Sequence, residues 1–185
     1  MGGLHYPVNM DILPAITTGS FTVVFARHAA REQITSVIAE LALRGPLTVL
    51  DGGNRFQAYR VAHLIRRQTP DVRAAADRLF IQRAFTCYQM LALVESTPAR
   101  PQPYLLLDLL ATFYDDHVPT REASRLLEAC LTQLERLRHT APVALTLAPP
   151  LLEERGFLVE RVCEQADTLF TLELPASQPY QPELI

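Results

Sequence analysis

The sequence contains no lysine: all 17 of its basic residues are arginines. Lysine supplies the amine for Schiff-base formation, for one type of general base and for the phosphate-binding loop of P-loop ATPases. Arginine cannot act as a Schiff-base amine or as a general base because its guanidinium group stays protonated, and its planar fork does not reproduce the compact point charge of the P-loop lysine. The composition therefore excludes every mechanism that depends on an amine side chain.

Cysteines and long apolar runs are also scarce. The three cysteines, Cys87, Cys130 and Cys163, are widely spaced and form no CxxC pair. An odd number of cysteines, with no secretory pattern in the opening residues MGGLHYPVNMD, predicts buried thiols in a reducing, cytoplasmic compartment. No apolar run approaches the roughly 20 residues that span a bilayer, so we expect no association with membranes.

The remaining composition is that of a globular protein. The 185 residues are 49% hydrophobic and 20% charged, which suits a single domain with a substantial core. Residues 1–19 are polar and interrupted by proline and glycine, and we expect them to form an N-terminal arm. The domain itself is predicted to cover residues 20–174, followed by a loosely held tail at residues 175–185.

Short β-rich runs alternate with helical patterns along the domain. Apolar runs predict strands at 21–26, 47–51, 79–83, 104–110, 143–147 and 168–174. Helical spacing predicts helices at 29–43, 55–67, 86–95 and 120–139, the last capped by Thr120, and a short helix opened by Pro149 and Pro150. This alternation predicts an α/β domain of three layers, with a mostly parallel central sheet flanked by helices.

Ligands of parallel sheets bind beyond the carboxyl ends of the strands. At three predicted strand ends, GSFTVVFA runs into Arg27 and His28, LTVLD ends in Asp51, and PYLLLD ends in Asp108. Together with LDGGNRF and IQRAFTCYQM, in this order and spacing, these motifs resemble the core of RecA-type recombinases over about residues 19–174. The resemblance implies a RecA-like fold, head-to-tail assembly, a nucleotide site at these strand ends and a role in DNA repair.

The phosphate-binding loop departs from the family pattern. That loop reads GxxxxGK followed by serine or threonine, and its glycines let backbone N–H groups cradle the phosphates. The matching residues here include Glu32 in place of the lysine, and Gly53 stands where the family has its catalytic glutamate. The degenerate loop positions are Ala26, Arg27, His28, Arg31, Glu32 and Gln33. We therefore predict a protein that is not an enzyme, neither binds nor hydrolyses ATP, and needs no cofactor.

Two sets of acidic residues have alternative interpretations. Asp51 and Asp108, the latter matching the magnesium-associated acid of the family, could hold a metal ion or could cap backbone N–H groups, and we favour capping. Asp115, Asp116 and His117 form a cluster of potential ligands, but adjacent residues rarely converge on one ion, so we expect a solvated loop. No metal site is predicted, and no GxSxG or HExxH motif is present.

The segment from Arg55 to Arg83 is unusually basic. It carries seven arginines against two aspartates, a net charge of +5 in a chain whose net charge is −3. The candidate nucleic-acid contacts are Arg55, Arg60, Arg66, Arg67, Arg73, Arg78 and Arg83. In contrast, the segments that match the DNA-binding loops of recombinases, ATFYDDHVP and APPLLEERGFLVE, are short and acidic, which repels a phosphate backbone.

Two functions remain open from the sequence. The first is a non-catalytic, RecA-like adaptor or regulatory subunit that docks a RecA-type ATPase or another copy of itself; this role is implied by the resemblance. The second is nucleotide-independent binding of DNA or another nucleic acid through the arginine-rich segment. The sequence does not tell whether the N-terminal arm packs on its own domain or on a neighbour.

Overall fold

The structure is a computed structural model that describes residues 12–172, and its centre is a sheet of six parallel strands. The spatial order of the strands is β3-β2-β4-β5-β1-β6. They are β1 (Phe21–Ala26), β2 (Leu47–Asp51), β3 (Leu79–Arg83), β4 (Tyr104–Leu107), β5 (Val143–Leu147) and β6 (Thr168–Leu172). All the pairings are parallel, which confirms the predicted fold class, and the architecture is consistent with a three-layer RecA-like domain.

Helices cover both faces of the sheet and create two hydrophobic cores. They are α1 (Arg31–Arg44), α2 (Ala58–Arg66), α3 (Val72–Ala76), α4 (Cys87–Ser96), α5 (Thr120–Arg138) and α6 (Gly156–Cys163). The first three pack on one face, and the last three pack on the other. Because both faces are covered, the central strands β2, β4 and β5 are buried along their whole length and do not alternate between buried and exposed residues. Within the described residues, no helix is both long and apolar enough to cross a membrane.

The described part of the predicted N-terminal arm packs on its own domain. Ile12 is buried in the core beneath α1, and the hydroxyl group of Thr22 donates a hydrogen bond to the carbonyl oxygen of Ala15 at 3.0 Å. Residues 13–15 form a short 3-10 turn. Residues 1–11, and the predicted tail at 175–185, lie outside the described residues.

Two predicted boundaries near the fourth strand and the fifth helix are wrong. Strand β4 ends at Leu107 rather than at residue 110. The backbone of Asp108 has a left-handed conformation, with a φ of 51°, and the apolar residues after it form a 3-10 turn. Apolar periodicity alone does not separate a buried strand from such a turn. Thr120 does not cap α5: Pro119 occupies the N-cap position, and Thr120 is the first helical residue.

Two helix predictions also need correction, and one helix was not predicted. Pro149 and Pro150 do not open a helix; a 3-10 turn forms at Glu153–Arg155, and α6 follows it. The helix predicted at 55–67 begins only at Ala58, because the backbone before it folds around Asp51. The short helix α3 was not predicted at all, although Asp71 caps it by accepting a hydrogen bond from the backbone N–H of Ala74.

A buried arginine joins the loop after β5 to the loop before α5. The side chain of Arg155 is only 2% exposed and donates hydrogen bonds to three carbonyl oxygens, those of Phe113, Asp115 and Val118, at 2.6–3.2 Å. Phe113 ends the 3-10 turn after β4, and Val118 lies just before α5. The carbonyl oxygen of Asp115 also accepts a hydrogen bond from the backbone N–H of Val118. The guanidinium group therefore takes the place of a strand or helix partner there.

We predict that Arg155→Ala lowers the free energy of unfolding by about 3 kcal/mol or more, because it leaves buried carbonyl groups without donors. The matched control is Arg161→Ala, which removes an exposed arginine paired with Glu128 and should have a much smaller effect. Urea denaturation of the two variants measures the difference. Equal effects would show that the Arg155 contacts do not hold the loop.

Candidate functional site

Asp51 lies at the carboxyl end of β2 and is completely buried. One carboxylate oxygen accepts a hydrogen bond from the backbone N–H of Arg55 at 2.8 Å, and the other accepts one from Phe56 at 3.1 Å. The second oxygen also forms an ion pair with the guanidinium group of Arg83, at 3.1–3.2 Å. Asp51 thus shapes the turn after β2 and is neutralised by the edge strand β3.

Asp108 lies at the carboxyl end of β4 and is 1% exposed. Its Oδ1 accepts a hydrogen bond from the backbone N–H of Ala148 at 3.2 Å. Its Oδ2 accepts a hydrogen bond from Nε of Arg55 at 2.8 Å and forms an ion pair with Nη2 of the same guanidinium group, also at 2.8 Å. Both carboxylate oxygens therefore have protein partners, and the positive charge beside Asp108 comes from an arginine of the chain itself.

These contacts do not suit a magnesium ion. A metal ion at Asp108 would have to displace the Arg55 guanidinium group, which binds the same oxygen and carries the compensating charge. Asp51 has the equivalent partner in Arg83. The backbone-capping interpretation therefore matches the observed contacts, and each acid also has an arginine beside it that supplies a positive charge.

The position that matches the catalytic glutamate has no room for a side chain. A Cβ atom built on Gly53 would lie 2.5 Å from the Cβ of Asp108 and 2.6 Å from its Oδ2. The turn after β2 thus approaches the end of β4 so closely that only glycine fits. Placing a glutamate at this position would require the turn or Asp108 to move.

The loop after β1 is closed by its own hydrogen bond. Ala29 and Ala30 are buried and have left-handed backbones, with φ values of 50° and 49°. Each costs about 1 kcal/mol or more, which glycine would avoid. The backbone N–H of Ala29 donates to the carbonyl oxygen of Ala26 at 2.9 Å, so it does not point towards a phosphate.

Glu32, which stands in place of the family's lysine, lies between α1 and α2 rather than at the strand ends. Its side chain is 81% exposed and lies 3.5 Å from Arg60, in a groove between these two helices. Among the neighbouring loop positions, Arg31 is partly buried with an unpartnered Nε, and Gln33 is also partly buried.

A cavity of about 880 Å³ opens at the carboxyl end of the sheet. Its lining includes the exposed residues Arg27 and His28, which follow β1. It also includes the Arg55–Asp108 ion pair at the end of β4. The rest of the lining is mainly apolar, and consists of Ala111, Tyr114, Ala148, Pro149, Pro150, Leu151 and Leu152, with Asp116 and Arg155 at polar positions. Burial raises the pKa of Tyr114, whose hydroxyl group donates to the carbonyl oxygen of Ala148. The cavity contains no activated nucleophile among these residues.

In the cluster of Asp115, Asp116 and His117, the side chains interact with one another. Nδ1 of His117 lies 3.0 Å from a carboxylate oxygen of each aspartate, and all three side chains are exposed. The hydrogen bond to Asp115 raises the pKa of His117, and hydrogen bonds from His117 lower the pKa of Asp115. The three potential ligand atoms therefore lie within 4.8 Å of one another, contrary to the expectation that adjacent residues do not converge, whereas their exposure agrees with a solvated loop.

The seven arginines of the basic segment do not form one surface. Arg55 and Arg83 bind the buried acids, and Arg78 donates to the carbonyl oxygens of Ala42 and Leu43 at the end of α1. The others are exposed on α2 and α3 or just after α2: Arg60 near Glu32, Arg73 near Asp77, and Arg66 and Arg67 with no side-chain partner among the described residues. The sequence analysis missed these assignments, although basic residues next to strand-end acids were a usable signal.

We predict that Gly53→Ala lowers the free energy of unfolding by about 3 kcal/mol or more, because the new methyl group collides with Asp108. Gly45→Ala is the control: a Cβ there meets no atom within 4 Å. That substitution should be neutral or slightly stabilising. Chemical denaturation measures both variants, and a Gly53→Ala protein as stable as the wild type would contradict the close approach.

Comparisons with known proteins add no further assignment to this site. No family model matches the chain, and a search of curated proteins found no significant match. The RecA-type resemblance is therefore an interpretation of the sequence motifs, and the structure supports the α/β fold class.

Proposed function

We propose that this protein is a non-catalytic, RecA-like adaptor or regulatory subunit in DNA repair or recombination, and that it binds a partner protein along the free edge of its sheet. The pathway is taken from the RecA-type resemblance. The binding role is supported by the open strand β3, which is the observation that carries the proposal. The loss of ATP binding and hydrolysis is supported by the contacts of Arg55, Arg83 and Gly53 described above.

Strand β3 is one of the two edge strands of the sheet, and within residues 12–172 it has a partner on one side only. It pairs with β2, and all of its residues after Leu79 are exposed. Its outer N–H and C=O groups have no sheet partner among residues 12–172. An edge of this kind readily accepts a further strand, and proteins that do not use it usually protect it with charge, proline or a covering element.

Apolar side chains surround this open edge. Phe80 and Ile81 on β3 are 46% and 39% exposed, and Phe85 and Tyr88 just after the strand are 72% and 51% exposed. Phe80 aligns with Thr48 and Ile81 with Val49, so they project from opposite faces of the sheet. Grouped exposure of large apolar residues on a folded domain is typical of a binding surface. We call these four residues the edge patch.

A groove beside β3 suits an extended segment of a partner. Its volume is about 270 Å³, and it is lined by Phe80 and Gln82 of the strand and by residues of the linker before β4. Gln102 fixes that linker by donating a hydrogen bond to the hydroxyl oxygen of Thr48 at 2.6 Å. A strand added to β3 would direct alternate side chains towards this groove. We therefore propose that the partner supplies an extended segment with apolar side chains, either from a RecA-type ATPase or from a second copy of this chain.

The cysteines fit action in a reducing, cytoplasmic compartment, which is part of the proposal. All three are free, and Cys87 and Cys130 are buried. Burial raises the pKa of Cys130 to about 12 and also raises the pKa of Cys87 and Cys163. Thiols held in the neutral form are poor nucleophiles and redox sensors, so they support a packing role.

We predict that Phe80→Glu combined with Phe85→Ser abolishes partner binding, because it places a charge at the open edge and removes an apolar anchor. The control is Leu151→Ser, which removes a fully exposed leucine in the loop after β5. Strands β2 and β4 separate β5 from β3 in the sheet. Nuclease-treated pull-downs read by mass spectrometry measure binding to other proteins. Size-exclusion chromatography with light scattering measures self-association.

Support requires an associated protein, or a self-associated form, that persists after nuclease treatment, is retained by the Leu151 variant and is lost from the edge-patch variant. A strictly monomeric protein with no nuclease-resistant partner would overturn the proposal. Equal binding by both variants would also overturn it, because the edge would then not be the binding surface.

A further inference from the structure

Helix α2 presents an exposed face that contains no acidic residue. Its buried residues, Val61 and Ile65, face the core, and its sequence AYRVAHLIR carries no aspartate or glutamate. Successive residues of an α-helix are rotated by about 100°, which places Tyr59, His63 and Arg67 on the side of α2 opposite to Val61 and Ile65. Arg60 and Arg66 flank this line. We call these five exposed residues the α2 face.

The charges of the α2 face are available to a ligand. Arg66 and Arg67 have no side-chain hydrogen bond or ion pair within residues 12–172. Arg60 lies 3.5 Å from Glu32, but the two side chains are 57% and 81% exposed, and such a pair is weak. The overall charge of −3 does not oppose binding here, because charges beyond about 8–10 Å are screened at physiological salt.

An aromatic ring stands within this basic surface. Tyr59 is 83% exposed and borders a groove of about 400 Å³ between α1 and α2, together with Arg60, His63 and Leu64 of α2 and with Glu32 on the α1 side. An exposed ring is not needed to cover the core, since Val61 and Ile65 already do so. Single-stranded nucleic acids are bound by this combination: arginines follow the phosphates, and an aromatic ring stacks on a base.

We infer that the α2 face binds single-stranded nucleic acid without a nucleotide cofactor. The inference goes beyond the adaptor role and uses a different surface from the edge patch. The helical rise places Arg60 and Arg67 roughly 10 Å apart along α2, so they contact separate phosphates. A paired duplex offers no free base face to Tyr59. A membrane surface would need exposed apolar residues on α2, but Val61 and Ile65 are 2% and 0% exposed.

The test is fluorescence anisotropy of the full chain with a labelled oligothymidylate of about 20 nucleotides, longer than the roughly 16 nucleotides of a large single-strand site. With three arginines on phosphates, the slope of log K against log salt concentration should be near −2. Arg66→Glu with Arg67→Glu should abolish measurable binding. Tyr59→Ala should weaken binding about tenfold while leaving the slope unchanged.

The charge-matched control is Arg100→Glu with Arg121→Glu, which changes two exposed arginines outside α2 and should leave binding nearly intact. Thermal unfolding verifies that each variant is folded. Arg66→Gln with Arg67→Gln provides a milder variant, which should lower the slope by about 1.4.

The inference would be overturned if the oligothymidylate did not bind, or if duplex DNA bound equally well. It would also be overturned if the control pair weakened binding as much as the α2 pair, or if Tyr59→Ala had no effect. Equal competition by polyglutamate, or equal binding to vesicles that contain phosphatidylserine, would assign the face to an acidic peptide or an anionic membrane instead. None of these results bears on the edge patch, which is tested by protein association.

Discussion

Two buried carboxylates at the carboxyl ends of neighbouring strands have to be neutralised, and the structure around them depends on how this is done. An unpaired carboxylate in the protein interior costs several kcal/mol. Arg83 supplies the positive charge for Asp51, and Arg55 supplies it for Asp108. Arg55 also donates its backbone N–H to Asp51, so one residue connects the ends of β2 and β4. The contact of Asp108 with Ala148 extends this network to β5.

This network accounts for the proposed loss of nucleotide chemistry better than the missing lysine alone. The guanidinium group of Arg55 stands beside the acid that resembles the magnesium-associated acid of RecA-type proteins. The close approach at Gly53 leaves no room for a catalytic side chain. A domain stabilised internally in this way does not need a ligand at the strand ends, and its proposed functions use its outer surfaces, the edge patch and the α2 face.

The strands were largely predictable, whereas the site was not. Strands β1, β2, β3 and β5 match their predicted bounds, because each is a short apolar run flanked by breakers or helical patterns. The run after Tyr104 was misread because its buried leucines continue into a 3-10 turn. The ion pairs join residues 32 and 53 positions apart, so sequence showed only a basic segment and two isolated acids. Which arginines face inwards depends on tertiary packing, and this also decides which remain for an external ligand.

The most direct test of the central claim is calorimetric titration of the full chain with Mg-ATP. Since Asp108 is held by Arg55 and the N–H group of Ala29 is bonded within the loop after β1, we predict no binding tighter than about 1 mM, or roughly 4 kcal/mol. Stoichiometric binding with micromolar affinity would contradict the account. It would require Arg55 and Arg83 to release Asp108 and Asp51, so that a metal ion and a nucleotide could bind there.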